Sequence, residues 1–136
     1  MRQINRIKDG LVNQKKSISF TFNGHILTGY EGDTLASALL ANNKKLVGRS
    51  FKYHRPRGIV TAGSEEPNAI MEIGNGPYKD PNTRATITEL YDGLEANSQN
   101  HKGPLGFDLM AIIDFLSPLV GAGFYYKTFM WPKAFW

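Results

Sequence analysis

The sequence predicts one modest α+β domain, and three observations carry that prediction. Apolar and polar residues alternate on both sides of Asn23-Gly24. A capped, helix-periodic apolar stripe follows at 33–43. Further alternating segments then lie between clusters of Gly, Pro and Asn. The length of 136 residues allows one real core. A hydrophobic content of 41% with 21% charged residues excludes a disordered chain.

The elements are expected in the following order. Residues 1–16 are polar and read as a loosely held arm. "SISFTFNGHILTGY" is a hairpin in which Ile18, Phe20 and Phe22 form one apolar face. Ile26, Thr28 and Tyr30 are expected to continue it after the turn. "EGDTLASALLANN" is a helix capped by Asp33 or Thr34, with Leu35, Ala38, Leu39 and Ala41 facing a core. Leu46-Val47 is a short strand, and Pro56 and Gly58 mark the residues after it as loop. "NAIMEI" (68–73) and "TRATITELY" (83–91) alternate as strands, with the turn cluster "GNGPYKDPN" between them. Residues 92–104 read as a surface connection. "FDLMAIIDFLSPL" is a helix that Pro118 stops.

The last third changes in character. Nine of the sixteen aromatics lie between Leu105 and Trp136. A membrane span is a poor reading of this region, because Asp108, Asp114 and Pro118 interrupt it. A mid-bilayer Asp costs about 2.5–3.5 kcal/mol on insertion scales. The cluster Phe129, Trp131, Phe135 and Trp136 is instead expected to pack on another subunit or on the rest of a longer polypeptide.

The net charge is +4, and its source is local. From Thr34 to Ser64 there is no Asp or Glu, while Lys44, Lys45, Arg49, Lys52, Arg55 and Arg57 all fall there. "VGRSFKYHRPRG" (47–58) adds His54 and interleaves Phe51 and Tyr53 with the cations. Such a stretch suits an anion, an acidic partner or a subunit interface, and equally a solvated loop or an intramolecular salt-bridge patch. Nucleic acid is the alternative partner, since rings that stack beside cations make a sequence-tolerant site. His25, His54 and His101 lack metal-ligand spacing. Glu65-Glu66 reads as an electrostatic offset to the basic loop. "GNGPYKD" is not a dinucleotide fingerprint, and no Walker sequence or nucleophile elbow is present. With no cysteine, disulfides, thiolate metal sites and cysteine nucleophiles are excluded. The polar N-terminus has no secretory h-region, so a cytoplasmic location is expected.

The runs "FTFNGHILTGYEGDTLASALLAN", "VGRSFKYHRPRGIVTAGSEEPNA", "NTRATITELYDGLEANSQN" and "GFYYKTFMWPKAFW" closely resemble the N-terminal region of the alpha subunits of heterotetrameric sarcosine oxidases. The resemblance implies a ferredoxin-like β-grasp domain over 17–91, preceded by the arm 1–16. Residues 92–136 would then lead into an absent dinucleotide-binding domain. It also implies a complex that oxidatively demethylates sarcosine to glycine, with hydrogen peroxide and 5,10-methylenetetrahydrofolate as further products. NAD, FAD, FMN, zinc and tetrahydrofolate would be held elsewhere in that complex. Its partners would be the remainder of the alpha subunit and the beta, gamma and delta subunits, with no nucleic acid and no membrane.

Related amine-oxidising subunits carry Cys-x4-Cys-x2-Cys after a Pro-Arg-Gly. Placed on Pro56-Arg57-Gly58, that pattern falls on Thr61, Glu66 and Ala69, with a fourth position near Thr86. None of these can replace a thiolate, so no [2Fe–2S] cluster and no catalytic residue is expected here. Arg49, Lys52, His54, Arg55 and Arg57 are then expected to contact subunits or an anionic group.

Overall fold

The structure, a computed structural model, describes residues 3–119. β1 (Asn13–Phe22) and β2 (His25–Glu31) form the expected hairpin. Asn23 (φ 49°) and Gly24 (φ 77°) both take the left-handed conformation that a two-residue hairpin turn requires. That turn fixes Phe22 opposite His25, Phe20 opposite Leu27 and Ile18 opposite Gly29. Direct cross-strand partners share a face. Leu27 is therefore buried and Ile26 points outward, contrary to the expected inward set of Ile26, Thr28 and Tyr30.

The arm is shorter and better held than its polarity suggested, because β1 begins at Asn13. Arg6 grips Asp33 through two bonds of 2.8 and 2.6 Å, and its guanidinium lies over the Tyr30 ring. The Asn5 amide side chain donates to Leu40 O, and the Gln3 amide side chain donates to Thr28 O. α1 (Leu35–Ala41) starts at Thr34, whose hydroxyl accepts from Ser37 N while the Ser37 hydroxyl accepts from Thr34 N. Gly29 lets β2 pass close beneath this helix, since a Cβ there would run into Leu90 and Ala38.

β3 (Gly48–Arg49) and β4 (Pro56–Arg57) form a small separate hairpin. The expected strand at 46–47 thus begins two residues later, and part of the expected loop forms its partner. β5 (Ile70–Ile73) and β6 (Asp80–Arg84) pair antiparallel. β6 starts inside the expected turn cluster and stops at Arg84, and 85–88 turns instead of continuing as strand. Ala85 and Thr86 are buried in that turn.

The main correction concerns β7 (Leu94–Ser98), which occupies the expected surface connection. It is the middle strand of the sheet order β2-β1-β7-β5-β6. It runs parallel to β1, with Phe20 opposite Leu94, and antiparallel to β5, with Ile73 opposite Ala96. Its buried face consists of only Leu94 and Ala96, too little apolar signal to stand out in "LEANS". The core gathers Phe20, Phe22 and Leu27 of the hairpin, Leu35 and Leu39 of α1, and Met71, Leu94 and Ala96 of the sheet. The expected helix after 107 is reduced to a 3-10 turn at Leu109–Ala111 running into α2 (Ile112–Phe115). Phe129, Trp131, Phe135 and Trp136 lie outside the described residues. No described helix is long and apolar enough to cross a membrane.

Candidate functional site

Between β4 and β5 the chain runs through residues 58–69 without regular structure, yet Glu66 within it is fully buried. Its carboxylate collects five donors. Oε2 accepts from Val60 N (2.9 Å), Thr61 N (2.7 Å) and the Thr61 hydroxyl (3.2 Å). Oε1 accepts from Asn68 N (2.8 Å) and Ala69 N (3.1 Å). Burial alone would push this carboxyl up. The backbone N–H bonds from Thr61, Asn68, Val60 and Ala69 outweigh it and hold the group at about 2.

The turn after β6 closes the arrangement. The Thr86 hydroxyl donates to Gly63 O (2.7 Å), Ala85 N donates to Ala69 O (2.9 Å), and Arg84 Nε donates to the Glu66 carbonyl (3.2 Å). The positions Thr61, Glu66, Ala69 and Thr86, which lie 25 residues apart at their extremes, therefore meet in one small region. They do not suit an iron–sulfur cluster. Two offer hydroxyls and one a methyl group, and the single carboxylate is already saturated by its own loop. The expected role of Glu66 as an offset to the basic loop is also corrected: among the described residues no cation pairs with its carboxylate.

The basic hairpin β3–β4 lies beside this loop and is tied to residues 101–115. The Arg49 guanidinium donates to Leu105 O (3.1 and 2.9 Å), His54 O (3.0 Å) and Gly106 O (3.3 Å). His54 Nδ1 lies 2.6 Å from Asp108 Oδ2. Burial would raise the Asp108 carboxyl, but Lys102 N, Met110 N and His54 hold it below the usual range. Ionised, it can only accept, which assigns the proton to Nδ1 of His54. Arg55 pairs with Asp114 (2.7 Å) and lies 4.8 Å over the Tyr53 ring, with Lys52 on the same ring at 5.5 Å. Arg57 donates to Asn68 Oδ1 (3.2 Å), which links hairpin and Glu66 loop. Asp108 and Asp114 were invisible as site residues from sequence, since 54 and 59 residues separate them from their partners. Arg49, His54, Arg55 and Arg57 each engage groups of the chain itself, and Arg55 is also half-exposed.

The remaining histidines do not form a metal site. His25 and His101 line a groove of about 610 Å³ together with Lys44 and Leu105. Both ring nitrogens of His101 are engaged, by the Ser98 hydroxyl and by Gly103 O. Among the described residues no three His, Cys, Asp or Glu side chains cluster as metal ligands.

A family described as a 2Fe-2S iron-sulfur cluster binding domain matches residues 15–101. Sarcosine oxidase subunit alpha of Rhizobium meliloti (strain 1021) is 63% identical over 129 residues, which is 95% of this chain and 13% of that protein. The same subunit of Corynebacterium sp. (strain U-96) is 39% identical over 97 residues, 69% of this chain and 10% of its own length. Among solved structures, L-proline dehydrogenase from P. horikoshii superposes with a TM-score of 0.50 at 30% identity, covering 62% of this chain and 16% of that one. The chain thus spans 13% or less of the length of these sarcosine oxidase subunits.

Proposed function

Because this chain belongs to the 2Fe-2S iron-sulfur cluster binding domain family, and because it is homologous to the N-terminal region of sarcosine oxidase alpha subunits, we propose that it is a cluster-free scaffold domain of such a subunit. The observation that carries this reading is the 63% identity over nearly the whole chain, joined to a ligand loop that closes on its own glutamate. In this reading the domain positions its neighbours and performs no chemical step. Sarcosine oxidation to glycine, with release of hydrogen peroxide and 5,10-methylenetetrahydrofolate, belongs to the assembled complex. NAD, FAD, FMN, zinc and tetrahydrofolate are bound by its other parts.

Two surfaces support an assembly role. Phe107, Leu109, Ile112 and Phe115 are exposed after β7, an apolar set that suits the remainder of the subunit. The basic hairpin presents Phe51 at its tip, with Arg49, Lys52, His54, Arg55 and Arg57 along it, and suits a contact with a neighbouring subunit. The test is to purify a complex through a tag on this chain, co-expressed with its genomic neighbours. Sarcosine-dependent hydrogen peroxide from the complex, and none from the 136-residue chain alone, is the expected result. Turnover by the chain alone, or purification without any oxidase subunit, would refute the reading.

A further inference from the structure

Buried charges are ordinarily neutralised by an opposite charge or a metal. Glu66 is fully buried, and no cation pairs with its carboxylate among the described residues. It is surrounded instead by the N–H groups of Val60, Thr61, Asn68 and Ala69 and by the Thr61 hydroxyl. All four amides belong to residues outside the strands and helices, apart from the immediate lead-in to β5. They point inward because they share one acceptor. Loop amides that converge in this way form an anion-binding concavity.

The residues flanking the concavity fix its shape from outside. Arg84 and the Thr86 hydroxyl hold the backbone carbonyls of Glu66 and Gly63, and Arg57 holds Asn68. None of these three groups bonds to the carboxylate, so the loop is held at the Gly63 and Glu66 carbonyls and at the Asn68 side chain in addition to it. The family to which the chain belongs binds an iron–sulfur cluster. A thiolate-ligated cluster is an anionic centre whose sulfurs accept hydrogen bonds. We propose that residues 60–69 are an anion receptor and that the Glu66 carboxylate is its resident anion, supplying the negative charge that a cluster would otherwise provide. The ligand class follows from the geometry. With the glutamate side chain removed, the site takes a small monocarboxylate such as formate, whose two oxygens can meet the two pairs of amides.

This inference goes beyond the proposed function and does not depend on assembly with other subunits, so failure of either leaves the other standing. The test uses the 136-residue chain and its Glu66→Ala variant. The variant is expected to melt at lower temperature, and sodium formate is expected to recover most of that loss saturably. Sodium chloride at equal ionic strength should not recover it, and the wild type should respond to neither salt. Equal effects of formate and chloride on the variant overturn the proposal. Should the variant fail to fold even in formate, amide hydrogen exchange in the wild type decides. Exchange at Val60, Thr61, Asn68 and Ala69 as slow as at the paired amides of β5 and β7 supports the receptor. Exchange as fast as in a solvated loop overturns it.

Discussion

Protonation of Glu66 should unlock its loop, and the size of the effect follows from the structure. The carboxyl sits at about 2 in the fold against an ordinary 4.5. Folding therefore favours the ionised form, and the stabilisation is present above about pH 4.5 and lost as pH falls toward 2. A shift of that size amounts to about 3 kcal/mol at neutral pH and declines to about 1 kcal/mol at pH 3. Glu66→Gln removes the titration, keeps one acceptor oxygen, and places an NH₂ where two amides need an acceptor. Glu65 lies in the loop itself, and Arg84 and Arg57 are tied to it through the carbonyl of Glu66 and the side chain of Asn68. Their contribution is the same in both proteins. Burial would raise the carboxyls of Asp33 and Asp108, but Arg6 with Ser37 and Tyr30 N, and the amides of Lys102 and Met110 with His54, hold them low. Those two cancel in the difference between wild type and variant. Urea unfolding at pH 7, 5 and 3 measures that difference. It should be largest at pH 7, nearly unchanged at pH 5 and clearly smaller at pH 3. A difference that stays constant from pH 7 to pH 3 would show that the carboxylate is not stabilised by the fold.

Substitutions at Arg6, Arg49 and Arg55 separate structural from surface roles. Arg6→Ala leaves the fully buried Asp33 carboxylate with only Ser37 and Tyr30 N as partners. It should cost about 3–5 kcal/mol in urea unfolding, and Arg6→Lys, which cannot fork onto both oxygens, should fall between it and the wild type. A loss below about 1 kcal/mol would mean that the arm is not held by this pair. Arg49→Ala removes the bonds to Leu105 O, Gly106 O and His54 O, each worth about 1.5–3 kcal/mol when the donor is charged. Amide exchange should quicken in residues 102–110 and leave β5 and β7 unchanged. Arg55→Ala, which breaks an exposed pair, is the control and should shift stability by less than about 1 kcal/mol. Equal effects from Arg49→Ala and Arg55→Ala would refute the anchoring role of Arg49.

What was legible in the sequence is what local chemistry determines. Asn23-Gly24 dictated the hairpin because both positions need positive φ, and Thr34 with Ser37 dictated the start of α1. The register was less legible: Ile26 and Leu27 are equally apolar, and only the length of the turn decides which one faces Phe20. β7 was illegible for a tertiary reason. Its buried face is short, and its polar residues Glu95 and Ser98 bond to side chains outside the strand, Asn75 and Asn23. The basic stretch stood out by composition, but its partners Leu105, Asp108 and Asp114 come from segments that the fold alone brings near. Glu66 was located by its spacing from Pro56-Arg57-Gly58. Its inward turn could not be read, because an acidic residue in a Gly- and Pro-rich loop ordinarily faces water.

The two halves of the site then explain one another. A loop of twelve residues without regular structure, 58–69, must be anchored if the edge of a five-stranded sheet is to stay ordered beside it. Thiolates on iron would provide covalent anchors from three points of that loop and one point of the next turn. In this chain the same points are held by weaker bonds in larger number: Thr61 and Ala69 to the Glu66 carboxylate, Thr86 to Gly63, and Ala85 to Ala69. A carboxylate can supply charge and direction to such a loop but cannot cycle between oxidation states. In the proposed scaffold reading the loop is thus held in place without an electron carrier. The same exchange makes the loop sensitive to protons where a cluster would make it sensitive to oxidants, so acid, rather than oxidation, is the condition under which this domain should first lose its shape.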